Sequence, residues 1–155
     1  MKFLNTNAFL NGAWVSADET FPVFDPSTGD VVAQVARATE ALTRQAIDAA
    51  EAALPAWRST PAIERAKIMR RLEQLLHRHE DDLAALLTRE QGKPLGEARG
   101  EIRYAASFLD WFASEAPRQY GETIPSPWRD RRLHVIRQAV GTAAGITPWN
   151  FPSAM

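Results

Sequence analysis

The first 35 residues contain short apolar runs separated by turn sequences, a pattern that predicts short β-strands. Asn11-Gly12 lies between Phe9-Leu10 and Ala13-Trp14-Val15, and it predicts a two-residue hairpin turn because both residues tolerate positive φ. Pro26-Ser27-Thr28-Gly29-Asp30 predicts a second turn. We expect both turns to belong to a small antiparallel sheet that covers one side of a core, rather than to bind a ligand.

The middle of the chain has the periodicity of amphipathic helices. Thr39 is a suitable N-cap for a first helix, and Pro55 is expected to end it. A stripe of small residues on this helix predicts close packing: Ala46, Ala49, Ala50, Ala53 and Leu54. Thr60-Pro61 begins a second helix, whose apolar stripe continues into a third helical segment. Gly92 and Pro94 indicate where that third segment ends.

A fourth helix is predicted from about residue 95 to residue 116, and its apolar face is wide enough to predict extensive burial. That face comprises Ile102, Tyr104, Ala105, Ala106, Phe108, Leu109, Trp111, Phe112 and Ala113. Further along, residues 132–137 alternate as in a strand with one solvent-facing side. Small and β-branched residues at 139–146 predict a buried strand of a parallel sheet. Such a strand would place residues 148–151 at its carboxyl end, where ligands bind in open α/β sheets.

Composition excludes several classes of protein. The 155 residues suit one domain with a sizeable core, and the 45% apolar and 24% charged content is ordinary for a globular protein. A net charge of −1 gives no reason to expect binding to nucleic acid or to an acidic membrane. The chain has no cysteine, which excludes disulfides and cysteine-ligated metals. Without a signal-like N-terminus or a membrane-spanning apolar run, a cytoplasmic protein is expected.

The most informative local sequence is Pro148-Trp149-Asn150-Phe151-Pro152, a rigid turn after a run of small residues. Asn150 offers a neutral amide with two N–H donors. A preorganised amide donor stabilises an oxyanion in acyl or aldehyde chemistry. From the residues alone, an asparagine that satisfies the backbone of its own turn is an equally good interpretation.

Two other groups of titratable residues are weaker candidates. Glu97 and Glu101 lie four apart on the fourth helix, and the pair could be an acid/base couple or a cation ligand. The preferred interpretation is a solvated helix face with nearby basic residues. Those residues are Lys93, Arg99 and Arg103. His77 and His79 are two apart and point to different helix faces, so no metal site is expected.

Several longer motifs follow one another in a characteristic order. They include Leu10-Asn11-Gly12-Ala13-Trp14, Glu90-Gln91-Gly92-Lys93-Pro94-Leu95, Tyr120-Gly121-Glu122-Thr123-Ile124-Pro125 and Thr147-Pro148-Trp149-Asn150-Phe151-Pro152. With them, the whole chain resembles the N-terminal part of an aldehyde dehydrogenase. It is most similar to the succinate-semialdehyde dehydrogenase branch of that family.

The resemblance implies an α/β fold, namely the N-terminal part of the aldehyde dehydrogenase fold with an incomplete Rossmann-like cofactor domain. Short N-terminal strands, a helical middle and a β-hairpin arm are expected. Residues 1–155 would form an incomplete N-terminal portion of the cofactor-binding domain. The resemblance also implies that residues 121–140 form an oligomerisation hairpin and that the complete enzyme is a homo-oligomer.

The implied reaction is the oxidation of an aldehyde, succinate semialdehyde to succinate, with reduction of NAD or NADP. In the family a cysteine thiolate attacks the aldehyde, an asparagine holds the oxyanion, and a glutamate-activated water hydrolyses the thioester. Asn150 matches that catalytic asparagine. The residues that match the nicotinamide site are Ile146, Thr147, Pro148, Trp149 and Asn150. Phe151 and Met155 match the substrate tunnel, and no metal is implied, although a monovalent cation near the fourth helix of some relatives leaves Glu101 a candidate.

Two hypotheses of different class remain open. The favoured hypothesis is that the chain is the N-terminal portion of a working dehydrogenase, and the alternative is a non-catalytic segment that only binds or co-assembles. In the family the thiol, the base and most of the cofactor site follow the position of Met155. The 155-residue chain alone is therefore expected to be inactive, and neither the choice between NAD and NADP nor the exact aldehyde is determined.

Overall fold

Three antiparallel hairpins and four consecutive helices make up the computed structural model, which describes residues 2–155. The hairpin strands are β1 (Ala8–Leu10) with β2 (Ala13–Val15), β3 (Thr20–Phe24) with β4 (Val31–Ala36), and β5 (Glu122–Ile124) with β6 (Leu133–Val135). The helices are α1 (Glu40–Ser59), α2 (Ala62–Arg78), α3 (Glu80–Gln91) and α4 (Leu95–Glu115). A short 3-10 helix, Ala116–Arg118, follows α4. The mixed α and β composition agrees with the expected fold class.

The predicted turn between β1 and β2 is confirmed. Asn11 and Gly12 have φ values of 47° and 82°, and Leu10 pairs directly with Ala13 across the hairpin. Two consecutive positive φ values are what a two-residue hairpin needs, because they match the twist of the flanking strands. The local sequence therefore determines both the turn and the register of this hairpin.

The predicted turn between β3 and β4 is also confirmed, and it contacts the end of α3. The Asp25 carboxylate accepts hydrogen bonds from the Ser27 hydroxyl at 2.6 Å and from the Ser27 backbone N–H at 2.9 Å. These bonds lower the pKa of Asp25, the hydroxyl bond most strongly. The Pro26 ring lies against Gly92. The turn thus has an ordered internal structure and packs on the junction that follows α3.

The expected end of α1 at Pro55 is wrong, because the helix continues to Ser59. A proline removes one N–H donor, and the turns on either side of it keep their own hydrogen bonds. The helix ends at Thr60, whose backbone N–H and hydroxyl both bond the Ala56 carbonyl, at 3.1 and 2.9 Å. The predicted N-cap is confirmed, since Thr39 accepts a hydrogen bond from Leu42 N–H.

The small-residue stripe of α1 is not buried within residues 2–155. No residue of this helix is buried, and Ile47 is 48% exposed. The close packing that the stripe predicts therefore does not occur within the part of the chain that the structure describes.

The core lies where α4 packs against α2 and α3. Four residues form its centre: Ala84, Leu87, Ala98 and Ile102. Most buried positions are alanines, so the helix backbones approach closely and few large side chains are enclosed. None of the helices within residues 2–155 combines the length and the apolarity needed to cross a bilayer.

The predicted extent of α4 is confirmed, but its predicted burial is only partly correct. Ala98, Ile102 and Ala106 face α2 and α3 and are buried. Trp111 and Phe112 remain 65% and 54% exposed. Because α2 and α3 cover one side of α4, Trp111 and Phe112 stay largely in solvent within residues 2–155, whereas Phe108 is half-buried.

The segment 121–140 contains the expected hairpin, formed by β5 and β6. All six strand residues are exposed, so the prediction of one buried and one wet face is wrong within residues 2–155. A two-stranded ribbon with no layer on either face leaves both sides in solvent. Its role in oligomerisation stays a prediction.

The predicted buried strand at 139–146 is not formed in the described chain. Residues 139–146 have no regular secondary structure, and Val140 and Ile146 are each 99% exposed. A strand needs a neighbour to pair its backbone N–H and C=O groups. Residues 2–155 place no strand beside this segment, so it cannot form the backbone pairing that its sequence favours.

Candidate functional site

Asn150 lies at the start of a tight turn, which we call the Asn150 turn and define as residues 149–155. The N–H groups of Ala154 and Met155 donate to the Phe151 carbonyl at 3.3 and 3.2 Å, so residues 151–155 form a single helical turn. Pro152 fixes φ within it. Ala154 is only 8% exposed. The turn is thus internally bonded and attached to the body of the protein.

The far end of the Asn150 turn closes an apolar groove between α2 and α4. The groove has a volume of about 610 Å³ and includes Leu72, Leu76, Phe108, Leu109 and Met155 in its lining. Phe151 is not part of that lining and lies against Lys93 instead. The structure therefore separates the two residues predicted for the substrate tunnel, since Met155 faces the groove and Phe151 does not.

The backbone of Asn150 is held while its side chain is exposed. Its carbonyl accepts a hydrogen bond from Lys93 Nζ at 2.9 Å. Within residues 2–155 the Asn150 amide makes no hydrogen bond to a protein group, and the residue is exposed. The alternative in which this asparagine caps its own turn is therefore not observed in the described chain. Both amide N–H donors remain available to a ligand.

Lys93 and Glu101 form a buried ion pair directly beneath this turn, which we call the Lys93–Glu101 pair. The side chains are 9% and 1% exposed. Glu101 Oε1 also accepts from the Ser153 backbone N–H at 2.8 Å, and Lys93 Nζ lies 4.3 Å from the centre of the Phe151 ring. The predicted solvated face is therefore wrong for Glu101, although Glu97 is exposed. The cation that Glu101 faces is the ammonium of Lys93.

The local sequence explains how Lys93 reaches Glu101. Gly92 adopts a left-handed conformation with φ of 84°, and its N–H closes α3 on the Thr88 carbonyl at 2.9 Å. Pro94 then precedes the first residue of α4. This sharp reversal places Lys93 over the beginning of α4, where Glu101 lies two turns along the helix.

Sequence reasoning missed the role of Lys93 and misplaced Glu101, yet a signal was present. Glu101 follows Ala98 by three residues and precedes Ala105 by four, which places it on the apolar face of α4. A charged residue on such a face requires a partner. Lys93 could be recognised as that partner only from the chain reversal at Gly92.

The residues predicted to line the nicotinamide site form an open apolar surface. Ile146 is 99% exposed and Trp149 is 82% exposed. They lie in the irregular segment that leads into the Asn150 turn. An exposed indole and an aliphatic side chain fit one face of a flat aromatic ring. The assignment of these residues to a nicotinamide site stays a prediction.

His77 and His79 contact neighbouring side chains. His77 lies 3.2 Å from Glu73 on the same helix, and His79 packs edge-on against Phe3 at 4.9 Å between ring centroids. No group of three potential metal ligands occurs among residues 2–155.

Comparison with known proteins identifies the family of the chain. The sequence pattern of the aldehyde dehydrogenase family matches residues 14–155. The chain belongs to the aldehyde dehydrogenase family. The matched range includes the segment around Asn150.

Individual relatives narrow the similarity to one group of the family. The chain is 54% identical to the glutarate-semialdehyde dehydrogenase of Pseudomonas aeruginosa, over 99% of this chain and 32% of that protein. It is 52% identical to the NADP⁺ succinate-semialdehyde dehydrogenase of Escherichia coli, over 100% of this chain and 34% of that protein.

Solved structures agree with the sequence comparison. A crystal structure of succinate-semialdehyde dehydrogenase from Burkholderia pseudomallei matches 99% of this chain and 32% of that one, with a TM-score of 0.96 and 49% identity. The chain therefore spans about a third of the length of the relatives that it matches.

Proposed function

We propose that this chain is the N-terminal third of an NAD(P)-dependent semialdehyde dehydrogenase, and that it contributes the oxyanion-stabilising amide. The observation that carries the proposal is the identity of more than half of its residues, along its whole length, to two enzymes named for semialdehyde oxidation. The exposed amide of Asn150, at the start of a backbone-anchored turn, supports the proposed role of that residue.

Asn150 acts by donating an N–H to the aldehyde oxygen. As that oxygen gains negative charge in the tetrahedral state, a fixed neutral donor stabilises it without reorganising at the moment of reaction. An amide suits this task because it carries no charge that would repel or permanently bind the carboxylate product. Its placement depends on the backbone, which is anchored on both sides of Phe151.

The rest of the catalytic machinery lies outside residues 1–155 in this proposal. The chain contains no cysteine, so the nucleophilic thiol comes from another part of the complete enzyme. Oxidised nicotinamide supplies the hydride acceptor when it is bound. Ile146, Thr147, Pro148 and Trp149 contribute one wall against its ring. The exposed faces of α1, α4 and residues 139–146 are the surfaces that the remaining two thirds would cover.

A semialdehyde of a short dicarboxylic acid is the proposed substrate, with succinate semialdehyde as the first choice. Both named relatives act on substrates of that class, which differ by one methylene. A single methylene changes discrimination by only about 10–200-fold in an apolar pocket. Succinate and glutarate semialdehydes should therefore both be tested.

The experiment fuses residues 1–155 to the part of the Escherichia coli enzyme that follows its matching segment, and measures NADPH formation with succinate semialdehyde. The fusion is expected to work within about tenfold of the intact relative, a barrier difference of about 1.4 kcal/mol. The 155-residue chain alone should form no NADH or NADPH. A fusion that unfolds cooperatively yet produces no NADPH from either semialdehyde contradicts the proposal. So does activity of the 155-residue chain alone.

A further inference from the structure

The Lys93–Glu101 pair is unusual in this molecule because of where its two charges lie. Glu101 is the one charged residue that is buried among residues 2–155, with 2% of its surface exposed. Ion pairs elsewhere, such as Lys67 with Glu64 at 2.7 Å, have side chains that are 66% and 49% exposed. Removing two charges from water is costly, and a buried pair adds little net stability compared with well-packed apolar residues. Stability alone therefore does not account for this pair.

Each member of the pair uses a second bond to hold the Asn150 turn. Lys93 Nζ donates to the Asn150 carbonyl at 2.9 Å, before Phe151. Glu101 Oε1 accepts from the Ser153 N–H at 2.8 Å, after Phe151. The Phe151 ring lies over the Lys93 ammonium at 4.3 Å. The pair thus fixes the backbone on both sides of one aromatic residue and contacts the residue itself.

This arrangement restrains the backbone from which the Asn150 side chain projects. Holding the carbonyl of Asn150 fixes the orientation of the peptide that follows it, and so restricts rotation about ψ of Asn150. If that peptide rotated, the amide would be displaced relative to a substrate held elsewhere in the site. A misplacement of about 1 Å can lower the rate about 10²-fold.

We propose that Lys93 and Glu101 are positioning residues that hold the Asn150 turn so that the Asn150 amide meets the aldehyde oxygen. The inference rests on the proposed function of Asn150, since it assigns these two residues a role through that amide. Neither needs to touch the substrate. A purely structural role would instead be to join α3 to α4, because Lys93 lies in the connection and Glu101 lies on α4.

The test replaces both charges together in the fusion, as Lys93→Met with Glu101→Leu, so that no unpaired charge is left buried. The melting temperature should stay within about 4 °C, because an apolar pair of similar size can replace a buried ion pair. Turnover should fall about 10²-fold with the KM for NADP⁺ changed by less than about threefold. The matched control is Lys67→Met with Glu64→Leu on α2, which should leave turnover unchanged.

A second measurement reports the turn itself. Hydrogen–deuterium exchange of the peptide covering residues 149–155 is measured in the fusion and in the 155-residue chain. The backbone N–H of Ala154 donates to the Phe151 carbonyl and to neither replaced side chain. Its exchange rate therefore reports how often the turn as a whole opens. It should exchange at least about tenfold faster in the Lys93→Met/Glu101→Leu variant and at an unchanged rate in the control.

The outcomes separate this inference from the proposed function. Faster exchange with lower turnover and unchanged KM supports positioning. Unchanged exchange, or faster exchange with unchanged turnover, overturns it, as does an equal loss of turnover and cofactor affinity. If the unsubstituted fusion is inactive, the proposed function fails, while exchange still shows whether the pair holds the turn. If the double variant does not fold, Lys93→Met with Glu101→Gln decides, because glutamine still offers an acceptor to the Ser153 N–H while the bond to the Asn150 carbonyl is lost. Unchanged turnover in that variant overturns the inference, and reduced turnover with unchanged KM supports it.

Discussion

Replacing Asn150 by alanine in the fusion is expected to lower turnover about 10²–10³-fold, the usual effect of removing one oxyanion donor. The KM for NADP⁺ should change by less than about threefold, because the lost interaction exists mainly in the transition state. The Asn150 amide is exposed and makes no hydrogen bond to residues 2–155, so its removal leaves no buried group without a partner. Turnover at saturating substrate and the KM for NADP⁺ are the measurements.

Two further variants make this result specific. Asn150→Asp keeps the shape of the side chain but replaces the N–H donor by an anion, so its turnover should fall at least as far as that of Asn150→Ala. Asn7→Ala, at an exposed asparagine before β1, should have no effect on turnover. If Asn150→Ala weakens cofactor binding as much as turnover, Asn150 is a structural turn former and the proposed role is wrong.

Gly92→Ala is expected to lower the stability of the protein, because the added methyl group meets both a left-handed backbone and the Pro26 ring. Gly92 has φ of 84°, and an added Cβ would lie 2.5 Å from Pro26 Cγ. A left-handed conformation costs an alanine about 1–2 kcal/mol. Crowding against the Pro26 ring adds roughly 1–3 kcal/mol. A loss of this size lowers the melting temperature by roughly 5–15 °C.

Gly100→Ala is the matched control, because the same methyl group is added at a glycine inside α4 with no atom within 4 Å. It should stabilise the protein by about 0.5–1 kcal/mol, since alanine is a better helix former. Thermal unfolding of both variants gives the comparison. Similar shifts of the melting temperature in the same direction would show that Gly92 does not hold the reversal between α3 and α4.

Local sequence predicted the parts of the fold that local interactions determine. Asn11-Gly12 specifies its hairpin and Gly92 ends α3, since each requires a positive φ at a defined position. The extent of α4 follows from its apolar period. The end of α1 did not follow from Pro55, because one missing N–H does not stop a helix that has a better cap five residues later at Thr60.

Features that need distant partners were predicted less well. The strand expected at 139–146 requires neighbouring strands, and residues 2–155 provide none. The residues of the candidate site also differ in whether local sequence or a distant partner identifies them. Asn150 is a candidate that its own turn and the family motif indicate, whereas the Lys93–Glu101 pair depends on a chain reversal that brings residues eight apart together. A buried ion pair is visible in a sequence only when both of its partners can be placed in space.

A crystal structure of the fusion with succinate semialdehyde and no nucleotide would test the central claim most directly, through the distance from Asn150 Nδ2 to the aldehyde oxygen. We expect about 2.7–3.1 Å, with the N–H directed at that oxygen. Bound substrate whose oxygen lies more than about 4 Å away, beyond hydrogen-bond range, or an Asn150 amide bonded to its own turn, would contradict the assignment of Asn150 as the oxyanion donor.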